Sequence, residues 1–572
     1  MNRIRFVRIS VVVLFVILIL RLFNLQVIRG RKFKELSDKN CIRLLPQSGA
    51  RGEILDRNGK PIADNKLSYD LMLLPQEPAL LEQAINGVAR VLRSDPQAIK
   101  KAFRNNYVTN SVPVLIEKNI GIKDAVALEE LKFDTPGIII QLKPTRYYPY
   151  GGLACHILGY LNEIDRWRLT KLADYGYKTK DIVGFGGIEE AYDYYLRQEE
   201  GGVSFEVDHK GRFVRLLGFR PPRNGKDIRL TLDINLQKIA EDKLSGRKGC
   251  VIIMDPYSGE VVAMVSSPGF SPALFVDNTG GAGISSLFNN PDAPFVNRAI
   301  SGLYPPGSVF KAVVACSGME TGKITDATGF SCEGSLVIGG KEFACWSRHG
   351  MQDLKAAIAH SCNIFFYKTG LLCGSGVIHD YALRFGMNRP TSIELPYEAG
   401  GFVPSPLWRR INKFRNWYDG DTANFSIGQG ELLVTPLQIT RMMAVFANGG
   451  SLVSPYLVKE VGGREISVYR RRQKKINLKA STIEYVREGL RSAVSEEAGT
   501  AHILSDLPVP VAGKTGTAQV TGSRSHAWFA GFFPYEKPKF VICVFLEHGG
   551  SGLTSCVLAK RIIQTLAEQG LI

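Results

Sequence analysis

The sequence predicts an α+β multidomain protein: an N-terminal transmembrane helix, a mixed α/β domain, and a C-terminal domain built on one antiparallel sheet with flanking helices. Three observations predict it. The chain has 572 residues, more than one hydrophobic core organises, so two or three folded units are expected. An apolar run stands near the N-terminus. In the C-terminal half, strand patterns at both ends bracket a stretch of helical patterns, the signature of a sheet closed by sequence-distant strands around an inserted helical subdomain.

The apolar run comes first. Ile9 to Leu20 is apolar except for Ser10, and apolar residues continue through Leu22, Phe23, Leu25, Val27 and Ile28. Twenty helical residues rise roughly 30 Å, enough to cross a bilayer core. Arg21 lies close enough to the end to snorkel. No small-residue cleavage site follows, so an uncleaved anchor is expected at 9–28 behind a tail at 1–8. Arg3, Arg5 and Arg8 precede the span while Arg29, Arg31, Lys32 and Lys34 follow it, so charge alone does not choose its orientation.

From 29 to 230 strand and helix patterns mix, and no nucleophile, base or ligand cluster stands out. Asn58-Gly59 within Arg51–Ala63 signals a hairpin. From 231 to 572 the pattern changes. Leu230-Thr-Leu-Asp233 leads into a predicted helix at 234–244. Cys250–Val265 reads as a hairpin turned by Pro256 to Gly259. Thr515–Val520, Ala527–Phe533 and Lys539–Leu546 are three further strands, followed by a closing helix at 553–568.

Net charge is +17, with thirteen basic against four acidic residues in 1–60. That balance suits an anionic membrane surface or an acidic wall polymer. A second basic run, Arg464, Arg470, Arg471, Arg472, Lys474, Lys475 and Lys479, reads equally as a solvated hairpin. No nucleic-acid module is recognisable. Ten cysteines contain no Cys-x-x-Cys pair. Cys250 and Cys543 lie in apolar strand runs and read as buried thiols. Cys332 and Cys345 flank the Gly-rich Glu333–Ala344 segment, where an oxidising compartment would favour a disulfide. A metal site using them with His349 and Asp353 is the lesser alternative, and no metal or cofactor is assigned.

Three short motifs follow in order. In Pro305-Pro-Gly-Ser308-Val-Phe-Lys311, Ser308 is a good helix-start residue and Lys311 lies one turn on, on the same face. A buried lysine loses its proton more easily than a solvated one and can act as a base towards a hydroxyl. Ser361-Cys362-Asn363 sits between predicted helices at 352–360 and 364–373, where Ser361 would relay a proton and Asn363 hold an amide. In Gly513-Lys514-Thr515-Gly516-Thr517, Gly516 admits close backbone approach, Lys514 supplies charge, and both Thr hydroxyls suit a carboxylate. Each motif alone is weak to moderate. Their ordered combination is the serine–lysine set of penicillin-recognising enzymes.

On those residues the chain resembles class B penicillin-binding proteins over nearly its whole length. Arg51–Ala63, Gly184-Phe-Gly-Gly-Ile-Glu189, Leu230–Asp233, Ile427-Gly-Gln-Gly430 and Thr435-Pro436 are similar to that family. Cys345-Trp346, His349-Gly350 and His156–Tyr160 look most like penicillin-binding protein 2, the cell-elongation member. The resemblance implies a non-catalytic, dimerisation-type pedestal at 29–230 and a transpeptidase domain at 231–572. It implies that Ser308 attacks a D-Ala-D-Ala carbonyl, with Lys311 as base and Ser361 and Lys514 passing the proton to the leaving D-Ala. The Ser308 and Thr517 backbone N–H groups would form the oxyanion hole. Thr515 and Thr517 with Lys514 would anchor the terminal carboxylate beside Gly516, and Asn363 the peptide amide.

Implied partners are the peptidoglycan stem peptide (lipid-linked or nascent glycan), β-lactams, the membrane, a RodA-like SEDS glycosyltransferase and an MreC-like scaffold. Implied localisation is the cytoplasmic (inner) membrane, with the catalytic domain outside. The alternatives are a division-type class B enzyme, a carboxypeptidase or β-lactamase on the same fold, a β-lactam sensor and an inactive scaffold. Around Glu394 and Glu398 the chain lacks the Glu-x-x-Leu-Asn pattern of class A β-lactamases, and few residues precede the span to build a sensor's effector.

Overall fold

The computed structural model describes residues 2–34, 42–107, 112–207, 213–276, 281–466 and 473–572. Arg470, Arg471 and Arg472 of the second basic run, and Glu35 and Asp38 near the anchor, lie outside the described residues. The chain divides into two compact units interleaved in sequence. One comprises Met1–Arg51, Asn65–Arg146 and Arg197–Gly225; the other comprises Gly52–Asp64, Tyr147–Leu196 and Lys226–Ile572.

The first unit begins with the apolar helix Asn2–Phe23, continued by a π-helical turn, Asn24–Ile28. Residues Ile4–Ile28 are long and apolar enough to span a membrane, and none of that face is covered by protein. Beyond it, helices Pro78–Leu92, Pro96–Asn106 and Ile122–Leu131 pack on strands through Leu71, Leu73, Val88, Ile99, Val114, Leu128 and Ile138. A separate three-stranded sheet joins Ile42–Gln47, Gly201–Val207 and Phe213–Arg220.

The second unit holds the predicted five-stranded antiparallel sheet. Its order is Val261–Ser267, Gly249–Met254, Phe540–Leu546, His526–Phe533 and Ala512–Ala518. The register Gly249↔Leu546 to Met254↔Val541 zips the beginning of the domain to its end. Side chains alternate across this sheet. Cys250, Ile252 and Met254 enter one core, which also holds Val313, Phe366 and the helix Pro436–Ala447; Val251 and Ile253 enter another with the helices Ile234–Leu244 and Gly552–Glu568. Both faces are covered, which is why these strands read as continuous apolar runs. Cys250 and Cys543 are buried free thiols, as expected.

The hairpin at Asn58-Gly59 is present: Ile54 pairs with Ala63, and Gly59 has φ +83°. The Pro256–Gly259 turn and the 234–244 helix also fall where expected. The edge strand differs. It runs Ala512–Ala518 rather than Thr515–Val520, because Ala512 and Gly513 already pair with Phe532 and Gly531. The two helices around the middle motif are Leu354–Ala359 and Asn363–Arg384; the second is far longer than expected and is broken at Gly374, φ +78°. Of the second basic run, Lys474 and Lys475 form an exposed strand against Ser451 and Leu452, while Lys479 precedes the helix Ala480–Ser495.

Candidate active site

The prolines and Gly307 end the preceding segment, and the chain enters a 3-10 turn, Gly307–Phe310, before the α-helix Lys311–Glu320. Ser308 therefore sits inside the turn and caps no helix: the Lys311 N–H closes it onto the Ser308 carbonyl. This turn is wedged by glycines. Gly307 N donates to Gly428 O at 2.9 Å, and a Cβ on Gly428 (φ +72°) would fall 2.1 Å from Gly307 O. A Cβ on Gly307 would meet Thr517 O at 2.8 Å, and one on Gly516 would meet Val309 and the Pro306 carbonyl at 2.9 and 3.1 Å. The Ser308 turn thus lies directly against the Lys-Thr-Gly strand. Gln429 Nε2 reaches Thr517 O at 3.4 Å, and Trp528 Nε1 donates to Pro305 O at 3.0 Å. In the sequence, 427–430 stands out only through its family resemblance; the contact of Gly428 with the serine turn appears only in the fold.

Lys311 is fully buried, and burial lowers its pKa to about 8. Its amine donates to Ser361 O at 2.8 Å, Ser361 Oγ at 3.3 Å and Asn363 Oδ1 at 2.7 Å. The middle motif presents these groups together because Ser361 adopts a left-handed conformation, φ +54°, between the two helices. Lys514 is also buried, donating to Thr515 O at 3.1 Å, and its pKa is pushed well down by burial and then by the Lys311 charge. Thr517 Oγ1 accepts from Gly552 N at 3.0 Å.

Ser308, Ser361, Asn363, Thr515 and Thr517 line one cleft of about 1230 Å³. The two lysines lie buried beneath its wall and Gly516 serves as a contact surface, so all eight singled-out residues are placed at this cleft by three distant stretches of chain. Residues 519–525, after the edge strand, form part of its rim. They are tied back by Gly550 N to Ser525 O at 2.8 Å and by His548 Nδ1 to Ser523 Oγ and Arg524 O at 2.7 and 3.0 Å.

Beside the middle motif, Cys332, Cys345, His349 and Cys362 bring their ligand atoms within 4.8 Å of one another. Cys332 and Cys345 are free thiols, so the disulfide does not form; His349 Nδ1 faces both, at 3.5 and 3.6 Å. Asp353 takes no part, because its carboxylate caps the Leu354–Ala359 helix through Ala356 N. Cys362, buried beside Ser361, takes its place. Cys345 Sγ accepts from Asn363 N at 3.2 Å, and its pKa is driven down chiefly by a hydrogen bond from Cys362. Three sulfurs and one imidazole nitrogen within 4.8 Å of one another are the donor types of a closed tetrahedral zinc-type set.

Comparisons with known proteins agree with this geometry. Residues 249–566 match the penicillin binding protein transpeptidase domain, and residues 46–230 match the penicillin-binding protein dimerisation domain. The peptidoglycan D,D-transpeptidase MrdA of Acinetobacter baumannii is 33% identical, over 96% of this chain and 85% of its own. Among solved structures, a complex between penicillin-binding protein PBP2 and MreC from Helicobacter pylori superposes with a TM-score of 0.83 at 28% identity, covering 93% of this chain and 99% of that one. A chain of a peptidoglycan synthase complex that coordinates polymerization and crosslinking gives 0.75 at 29% identity, covering 100% and 99%.

Proposed function

This chain belongs to the class B penicillin-binding proteins, in the group of the peptidoglycan D,D-transpeptidase MrdA, and on that premise we propose how its residues cross-link stem peptides during wall elongation. Ser308 is the nucleophile and Lys311 its base. The attack places an oxyanion between the Ser308 and Thr517 backbone N–H groups, each such donor contributing about 2.7–4 kcal/mol. Ser361, bonded to Lys311, relays the proton to the departing D-Ala with the help of Lys514. Thr515 and Thr517 bind the terminal carboxylate and Asn363 the peptide amide. An amine from a neighbouring stem then displaces Ser308. The observation that carries this reading is the convergence of three sequence-distant motifs on one cleft, with a buried, easily deprotonated lysine one turn from the serine.

The same proposal sets the catalytic domain on the extracytoplasmic side, because cross-linking of nascent wall requires it there; the apolar N-terminal helix is consistent with a single-pass anchor. The division into a tail at 1–8, an anchor at 9–28, a pedestal at 29–230 and a transpeptidase domain at 231–572 belongs to the same proposal. An MreC-like scaffold and a RodA-like glycan polymerase are the proposed partners, supported by the two solved assemblies to which this chain is similar. Fluorescent penicillin distinguishes this enzyme from a β-lactamase of the same fold. The labelled adduct is expected to persist through hours of incubation, whereas loss within minutes would favour the hydrolase.

The four-residue cluster would hold a zinc-type ion, and such an ion would brace the turn carrying Ser361 and Asn363 without taking part in the chemistry. Metal analysis of the purified protein is expected to find about one equivalent. Its removal by a chelator is expected to lower the melting temperature by several degrees and to slow acylation about tenfold. Full thermal stability in metal-free protein would contradict this.

A further inference from the structure

The cleft around Ser308 is lined by hydroxyls, amides and aromatic rings, and among its described lining residues only Glu342 carries a charged side chain. Glu342 stands on the strand Lys341–Ala344, paired antiparallel with Ser335–Ile338 so that Val337 lies opposite it. Side chains alternate along a strand. Glu342 and Ala344 therefore share a face, while Lys341 belongs to the other.

Local contacts hold this hairpin to the catalytic motifs. The Phe343 ring meets Tyr367 edge-on at 5.7 Å, and the Ala344 carbonyl accepts from Asn363 Nδ2 and Tyr367 Oη at 3.3 and 3.4 Å. Cys345 N donates to Gly334 O at 2.8 Å. Asn363 in turn accepts from Lys311. The Glu342 backbone is thus fixed relative to the reacting groups through two hydrogen-bonded steps. Its side chain is exposed in the cleft and forms no ion pair with another described residue.

A carboxylate presented this way has one evident use. Buried Lys514 beneath the cleft wall suits the anionic end of a peptide. The cross-linking reaction also needs a cationic group, because the nucleophile it consumes is a primary amine, protonated in solution. We propose that Glu342 recognises the ammonium of the amine-bearing residue of a stem peptide. The proposal rests on the transpeptidase reading above and deepens it. Glu342 would act as a positioning and selectivity residue: an ammonium docked on its carboxylate is held at the cleft wall, and the attack itself follows once the amine has lost its proton. Two stems carry that group, the donor that acylates Ser308 and the acceptor that resolves the acyl-enzyme, and the test separates them.

The full-length protein and its Glu342→Gln and Glu342→Asp variants are compared with four probes. Two are synthetic pentapeptides ending in D-Ala-D-Ala, one with a free side-chain amine and one with that amine acetylated. The third is an amine-bearing acceptor peptide, and the fourth is benzylpenicillin, which has no ammonium. If Glu342 holds the donor, Glu342→Gln slows acylation by the free-amine pentapeptide about 3- to 10-fold and leaves the acetylated one unchanged. If it holds the acceptor, KM for the acceptor peptide rises about 3- to 10-fold with kcat retained. In either case Glu342→Asp recovers part of the preference.

Equal rates for wild type and Glu342→Gln with every amine-bearing probe would overturn the assignment. So would an equal loss with free-amine, acetylated and penicillin probes, which would mark the hairpin as merely structural. Penicillin keeps the two claims apart: a wild-type protein that penicillin fails to acylate would refute the transpeptidase reading itself.

Discussion

Replacing Ser308 with Ala is expected to abolish covalent labelling by penicillin, a fall of at least about a thousandfold, while the melting temperature stays within about 2 °C. The expectation follows from position. Ser308 sits in a turn whose shape is set by Gly307, Gly428 and Gly516 and not by its own hydroxyl, which caps no helix. Removing that oxygen takes away the nucleophile and disturbs no described packing contact. Loss of labelling together with unfolding would mean that the serine is structural, and retained labelling would move the nucleophile elsewhere. A cell-based version asks whether the Ser308→Ala protein still supports cell shape; an enzyme acting through this residue cannot.

The second large effect concerns Lys311. Substitution by Ala is expected to slow acylation about 10³-fold, within the range for loss of a general base. Lys311→Arg is expected to do no better, because a guanidinium holds its proton throughout the accessible pH range. In the intact protein the acylation rate should climb as pH rises and level off above about 8, where the buried amine becomes neutral. The sign follows from which form works: only the deprotonated amine accepts the Ser308 proton, and burial brings that form within reach of ordinary pH. Stopped-flow acylation across pH 6 to 10 measures it. A rate independent of pH in this range, or one that falls through it, would remove Lys311 from the role of base.

Much of this was legible because it depends on local spacing. A serine and a lysine three residues apart must lie one turn apart, and the runs at 250–265 and 539–546 must pair somewhere because both are apolar throughout. The hairpin at Asn58-Gly59 and the helix at 234–244 are set by turn and capping residues. What spacing does not carry is packing between distant segments. Nothing in Ile427–Gly430 announces that Gly428 presses on the serine turn, since the contact partner lies over a hundred positions away. The sulfur cluster was misassembled for the same reason. Cys332, Cys345 and His349 are near in sequence, and Asp353 followed closely enough to complete a set. Asp353 instead caps the Leu354–Ala359 helix, and Cys362, from the turn beyond that helix, completes the set. The edge strand was placed three residues too far along because Ala512 and Gly513, poor strand formers by themselves, are held in the ladder by Phe532 and Gly531.

The most direct measurement is the site of the penicillin adduct. Wild-type protein treated with benzylpenicillin, digested with trypsin and fragmented by mass spectrometry is expected to carry the added mass on the peptide Ala299–Lys311, at Ser308 and not at Ser301. An adduct on Ser361, on any residue outside this cleft, or none at all would contradict the account.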